Sequence, residues 1–349
     1  MTKPANPRER PAAPPTRPTP RPTELPLAVP ELWCPVPPAR HPEQTEITER
    51  TIAWMRRYGY ITTPADEVAA RAAQFGELGA LTHPHGTLEG AVLAAQLMVW
   101  LFLQDDRFAE RAPAQGRIED LAEHILWSQR VWQGDRAPVP EPYLEALLDL
   151  RTRLTRMSAH HEQVERVTDG FNRYLGAAAA EAIYRTKGIA PDLDQYLRLR
   201  ESTILMRGMC FVAIELADDC YLPGPLWSRP DVRTCEQAAA RAVAYTNDIV
   251  SGLRELHWPN HTNLITALSR HFHCSLQKAL NRAVHMCETQ ISLYDRLSRP
   301  LLTEGDARLS RYVRGMGAWI RGNVDWSMTC GRYHVGTPGQ GGGPGRFEG

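Results

Sequence analysis

The segment from Leu88 to Gln104, LEGAVLAAQLMVWLFLQ, constrains this chain more than any other. It carries a single charge, Glu89, and then runs straight into DDRFAE. A helix that is apolar on all sides has to be buried among other helices. The stretches EDLAEHILWSQRVW, YLEALLDLRTRLTRM and EQAAARAVAYTNDIV repeat apolar residues at three and four, the spacing of one helix face. Breaks fall where turn formers cluster: Pro84/Gly86, Pro138/Pro140, Pro191, Pro223/Gly224/Pro225 and Pro259. No run of alternating β-branched residues and no repeat of fixed period appears. The pattern predicts an all-α fold, one helical bundle spanning residues 31–335. Ten prolines in residues 1–30 predict a disordered or PPII-like leader, either a solvated tail or a segment that docks on a partner or compartment. The Gly-rich residues 336–349 read as a flexible tail.

Charge and cysteine content narrow the function classes. Lys+Arg and Asp+Glu both number 40, so the formal net charge is zero. Such a chain has no electrostatic footprint for nucleic acid or an anionic membrane, and its charge chemistry must be local. Seven cysteines occur without any CxxC pair, which argues against zinc and for free thiols. The start has no apolar signal core, and no stretch of 18 apolar residues exists, so no membrane span is expected and the expected compartment is the cytoplasm.

Two polar clusters stand out against this apolar background. Asp105, Asp106 and Glu110 sit at the end of the greasy helix. With about 100° per residue, Asp106 and Glu110 share a face one turn apart, with Asp105 beside them. A helix C-terminus disfavours negative charge. The group is therefore either a solvated last turn or a site for Mg²⁺, which prefers carboxylate, water and phosphate oxygen. Asn247, Ser251 and Glu255 recur every four residues in NDIVSGLRE and form one polar stripe with about 6 Å between neighbours. All three offer hard oxygen ligands. Ala242, Val243, Ile249, Val250 and Leu253 cover much of the rest of that helix. A buried polar stripe needs partners, whereas a solvated one does not. Arg254 stands beside the stripe as a diphosphate clamp.

These clusters, in this order, resemble the class I terpene synthase family, whose bacterial members pair a DDxxD or DDxxxE motif with an NDxxSxxxE triad. Here the two read DDRFAE and NDIVSGLRE, with no ligand letter missing. The resemblance implies three Mg²⁺ ions, held by Asp105, Asp106, Glu110, Asn247, Ser251 and Glu255, that grip a prenyl diphosphate substrate. It also implies a diphosphate-sensing arginine upstream of the triad: Arg200, or alternatively Arg198, in YLRLREST. Thr203 and Ile204 would then be the linker and effector positions, and Arg332-Tyr333 the C-terminal pair that closes the site. The chain departs from the family in having Arg254 where many relatives have Lys, and Ile249-Val250 in place of Leu-Tyr.

On this reading Arg200, Arg254, Arg332 and Tyr333 bind the leaving group, so that the C–O bond can break without a general acid. The allylic cation needs a dry, aromatic cavity. Phe75, Phe102 and Trp326 are the candidates to line it, with Phe211 and Trp319 on neighbouring helices. The family implies cyclisation of farnesyl diphosphate to a sesquiterpene hydrocarbon or alcohol, by a monomer or homodimer. LTHPHG (81–86) and the Pro-rich leader are also similar to the 2-methylisoborneol synthase branch, which uses a methylated geranyl diphosphate. A chain-elongating prenyltransferase would need a second aspartate-rich motif. A non-catalytic helical scaffold is the remaining alternative. Asp218-Asp219 precedes Pro223 and reads as a loop, and the His160-His161 and HFHC runs lack further metal ligands.

Overall fold

The computed structural model describes residues 27–111, 116–137, 140–255 and 263–333, and among these no strand occurs. In chain order the helices are α1 (Gln44–Arg57), α2 (Pro64–Ala73), α3 (Phe75–Thr82) and α4 (Leu88–Gln104), which continues into a π-helical turn (Asp105–Arg111). Then come α5 (Ile118–Gln133), α6 (Pro142–Met157), α7 (His161–Thr186) and α8 (Leu193–Thr203). A second π-helical turn (Met206–Cys210) leads into α9 (Phe211–Ala217) and α10 (Gly224–Trp227). The chain closes with α11 (Pro230–Glu255), α12 (Leu264–His271), α13 (Leu276–Thr303) and α14 (Ala307–Thr329). Side-chain oxygens cap many of their starts: Thr63 with Asp66, Thr87, Asp192 with Gln195, Asn263 with Thr266, and Asp306.

Helix α4 is the axis of the core. By length and composition Leu88–Ala109 could cross a membrane, but 72% of its most apolar window is buried inside the bundle. Its apolarity therefore serves packing, with Trp100 fully buried and its indole N–H donating to the Tyr143 carbonyl at 2.8 Å. Helices α11 and α13 run beside each other and join through Thr246 and Cys287, 3.3 Å apart. All seven cysteines are free thiols.

Helical regularity is broken between α8 and α9. Helix α8 ends at Thr203, and Leu205 then adopts φ 55°, a left-handed conformation that a branched side chain seldom takes. The second π-helical turn begins at the next residue. It lies against α7 at a crossing where a Cβ on Gly170 would sit 2.2 Å from the Gly208 Cα. Only glycine on both sides permits that approach, so two glycines set how closely the broken helix docks.

The Pro-rich leader expected to run through residue 30 gives way to packed chain earlier than that. Leu27 and Leu32 are buried, and Ala28 exchanges two hydrogen bonds with the Gln277 side chain, at 2.9 and 3.0 Å. The Gln277 side chain thus ties Ala28 to α13. Residues 1–26 and 334–349, where the rest of the leader and the tail fall, lie outside the described residues.

Candidate active site

Helices α4 and α11 and the residues just past α14 bring their C-terminal ends together. Arg332 forks onto Asp106, donating from Nη1 and Nη2 at 3.0 and 2.7 Å. The next residue, Tyr333, accepts a hydrogen bond from Asn247 Nδ2 at 2.9 Å. Two adjacent residues thus touch Asp106 of the first cluster and Asn247 of the second.

The first cluster occupies the π-helical turn. Such wide turns commonly mark functional positions, because they offset side chains from the regular helical rows. Neighbours hold this one firmly. Phe108 stacks on His124, with centroids 3.7 Å apart and planes at 5°, and meets Tyr143 edge-on at 5.3 Å. Arg107 lies over the Tyr143 ring at 5.0 Å. Burial pushes the His124 pKa down to about 3, with Arg107 adding to the effect, so the stacked ring is neutral. The Arg332 guanidinium lies 4.6 Å over the Phe102 ring while it grips Asp106.

The second cluster is wired internally. Arg200 donates to Asn247 Oδ1 at 2.7 Å and pairs with Asp248, Nε to Oδ1, at 2.8 Å. Tyr196 donates its hydroxyl to the other Asp248 oxygen at 2.6 Å. Asn263 donates to the Asp248 carbonyl at 2.8 Å and to Glu255 Oε2 at 3.0 Å, while its own Oδ1 caps α12. Ser251 and Glu255 are buried. Burial raises the Asp248 pKa to about 6, restrained by Arg200 and the Tyr196 hydroxyl. Burial opposes the Arg200 charge, yet Asp248, Tyr196, Glu181 and Glu255 together outweigh it and keep the guanidinium protonated.

Arg200 and Arg198 are separated by this geometry. Arg198 is exposed and pairs with Asp194 on its own helix, whereas Arg200 reaches Asn247 and lies 3.5 Å from the Thr203 hydroxyl. Thr203 and Ile204 stand immediately before the left-handed Leu205. Phe75, Phe102 and Trp326 form one cluster with centroids 5.5–6.1 Å apart, and Tyr333 meets Trp326 edge-on at 5.6 Å. Trp326 is fully buried and its indole N–H donates to the Ala73 and Gln74 carbonyls, so it supports Phe102 and Tyr333 from behind. Phe102 is the half-buried face of the three. The side chains of Glu110 and Arg254 lie outside the described residues. LTHPHG sits at the opposite end of α4, and Asp218-Asp219 lies in the turn after α9.

Sequence reasoning missed Asp248 and Asn263. Asp248 was hidden inside the motif as its second letter. Asn263 carried one signal, an Asn at an N-cap with a Thr three residues on, but nothing tied that cap to Glu255.

The donor chemistry bears on which metal these residues could hold. Asp105, Asp106, Asn247, Ser251 and Glu255 offer only oxygen. Among the described residues no group of three or more His, Cys, Asp or Glu converges. Oxygen donors suit a hard cation such as Mg²⁺.

Comparison with known proteins agrees with the geometry. The family model "Terpene synthase family 2, C-terminal metal binding" matches residues 96–292, more than half of the chain. The chain is 28% identical over 308 residues to (+)-(1(10)E,4E,6S,7R)-germacradien-6-ol synthase of Streptomyces pratensis, covering 87% of this chain and 86% of that one. It is 28% identical over 311 residues to a 4-epi-cubebol synthase described as (2E,6E)-farnesyl diphosphate cyclizing, from Streptosporangium roseum, covering 88% and 93%. The crystal structure of germacradien-4-ol synthase from Streptomyces citricolor matches with a TM-score of 0.74 at 25% identity, covering 85% of this chain and 97% of that one. Matched over most of its length by such enzymes, the chain belongs to the class I terpene synthases, a metal-binding family.

Proposed function

We propose that this terpene synthase ionises farnesyl diphosphate with the help of three Mg²⁺ ions and cyclises the carbocation to a sesquiterpene hydrocarbon or alcohol. One observation carries the reading: Arg332 and Tyr333, neighbours in the chain, engage Asp106 and Asn247 respectively. Farnesyl diphosphate is favoured because the Streptosporangium relative is described as cyclizing it.

Asp105, Asp106 and Glu110 serve as metal ligands at one pole, and Asn247, Ser251 and Glu255 at the other. Bound magnesium supplies the positive charge that lets the allylic C–O bond break. Arg200, Arg254 and Arg332 donate hydrogen bonds to the departing diphosphate, and the Tyr333 hydroxyl adds a further one. Arg200 is the sensor. A diphosphate that draws its guanidinium off Asn247 moves the end of α8, where Thr203 and Ile204 meet the left-handed Leu205. Phe102, backed by Phe75 and Trp326, borders the hydrocarbon chamber, excludes water from the cation and offers it a π face.

The test is incubation with Mg²⁺ and farnesyl diphosphate, with products read by gas chromatography and diphosphate release measured in parallel. A cyclic C15 product is expected from the wild type and none from Asn247→Ala. Folded protein that turns over neither farnesyl, geranyl nor geranylgeranyl diphosphate contradicts the proposal.

A further inference from the structure

The turn that carries the first cluster is fixed by a side chain that neither motif contains. Arg185, in the last turn of α7, donates from Nη1 to the backbone carbonyl of Ala109 at 2.5 Å. Its other amino group lies 3.3 Å from Glu181, one turn back on the same helix. The Arg185 side chain is only 11% exposed. Ala109 itself is buried.

Ala109 lies two residues from the end of the π-helical turn. The same turn bears the carboxylates of Asp105 and Asp106 at its start. Neighbouring carboxylates repel each other, and a buried guanidinium bonded to the turn offsets that repulsion. Arg185 brings one from 76 residues away, while the Phe108–His124 stack grips the same turn through its aromatic side chain.

We propose that Arg185 is a positioning residue for the metal-dependent ionisation: by bonding the Ala109 carbonyl it fixes the turn that aims Asp105 and Asp106 at the shared site. The inference rests on the metal-dependent function proposed for this site and deepens it. Arg185 does not touch the reacting atoms; it sets the direction of those that hold the metal. Glu181 adds a second link, because its charge also acts on Tyr196 and Arg200 beside the other cluster. The last two turns of α7 therefore bond one half of the site and act through charge on the other.

The experiment compares wild type, Arg185→Gln, Arg185→Lys and the control Arg173→Gln. Arg173 pairs with Asp169 on the exposed face of the same helix. Melting temperature is followed as Mg²⁺ is titrated at saturating inorganic diphosphate, and turnover of farnesyl diphosphate is measured alongside. A ligand bound only by the native state raises its melting temperature, so the titration reports metal affinity without turnover. Loss of a charged donor should raise the half-saturating Mg²⁺ concentration of Arg185→Gln roughly tenfold to a hundredfold. Lysine, which can still donate to a carbonyl, should recover most of that loss, and Arg173→Gln should match the wild type. If Arg185→Gln does not fold, Arg185→Lys carries the test, with a shift of about two- to fivefold expected. A wild-type Mg²⁺ midpoint in the folded Arg185 variants, even with a lowered metal-free melting temperature, overturns the proposal and leaves the functional reading standing. A wild type that responds to neither Mg²⁺ with diphosphate nor substrate overturns both.

Discussion

The two poles of the site are built by opposite means. At the α11 pole the polar groups are satisfied within the bundle: Asn247, Asp248 and Glu255 are held by Arg200, Tyr196 and Asn263 in one connected network. At the α4 pole Asp106 is held by Arg332, which comes from the far end of the chain, and the turn beneath is gripped by aromatic stacking. A buried network is rigid when every member is satisfied. The Arg332–Asp106 pair instead joins two segments far apart in sequence. On the proposed function, α11 presents a prebuilt half-site, while at the α4 pole a cation takes the place of Arg332 and frees that arginine for the leaving group.

Breaking the network should therefore cost more than loosening the link between the poles. Asn263→Ala removes the donor shared by the Asp248 carbonyl and Glu255. Such a partner lies one shell out from the proposed ligands, so turnover should fall about 10–100-fold, with a matching rise in the Mg²⁺ requirement. A folded Asn263→Ala enzyme with an unchanged Mg²⁺ dependence would break the view that α11 is prebuilt. The smaller effect belongs to Tyr333→Phe, which keeps the ring against Trp326 and loses one hydrogen bond to Asn247. A net bond of about 0.5–1.5 kcal/mol predicts a loss of roughly three- to tenfold in kcat. A larger loss than that of Asn263→Ala would reverse the order of the two poles.

How much of this could be read from the chain depends on the range of each interaction. The greasy α4, its acidic end and the Asn247–Ser251–Glu255 stripe were legible, because helical spacing alone puts those residues together. Arg200 was legible only as one of two arginines two residues apart, and burial separates them: Arg198 points to solvent while Arg200 meets Asn247 and Asp248. Asn263, Arg185 and the Arg332–Asp106 contact depend on how separate helices dock, and no local period records that. The π-helical turns were hidden as well, since a wider turn leaves no pattern of its own in the residue types. The burial of Leu27 was not legible, because it looks like one apolar residue in a proline run.

The central claim is that the two poles share one ligand. Binding of inorganic diphosphate in the presence of Mg²⁺, followed by calorimetry, tests it most directly in the wild type, Asp106→Asn and Glu255→Gln. A single cooperative site is expected in the wild type, with an affinity that falls steeply, about a hundredfold or more, when either pole is altered. Two independent sites, each lost separately while the other keeps its wild-type affinity, would contradict it.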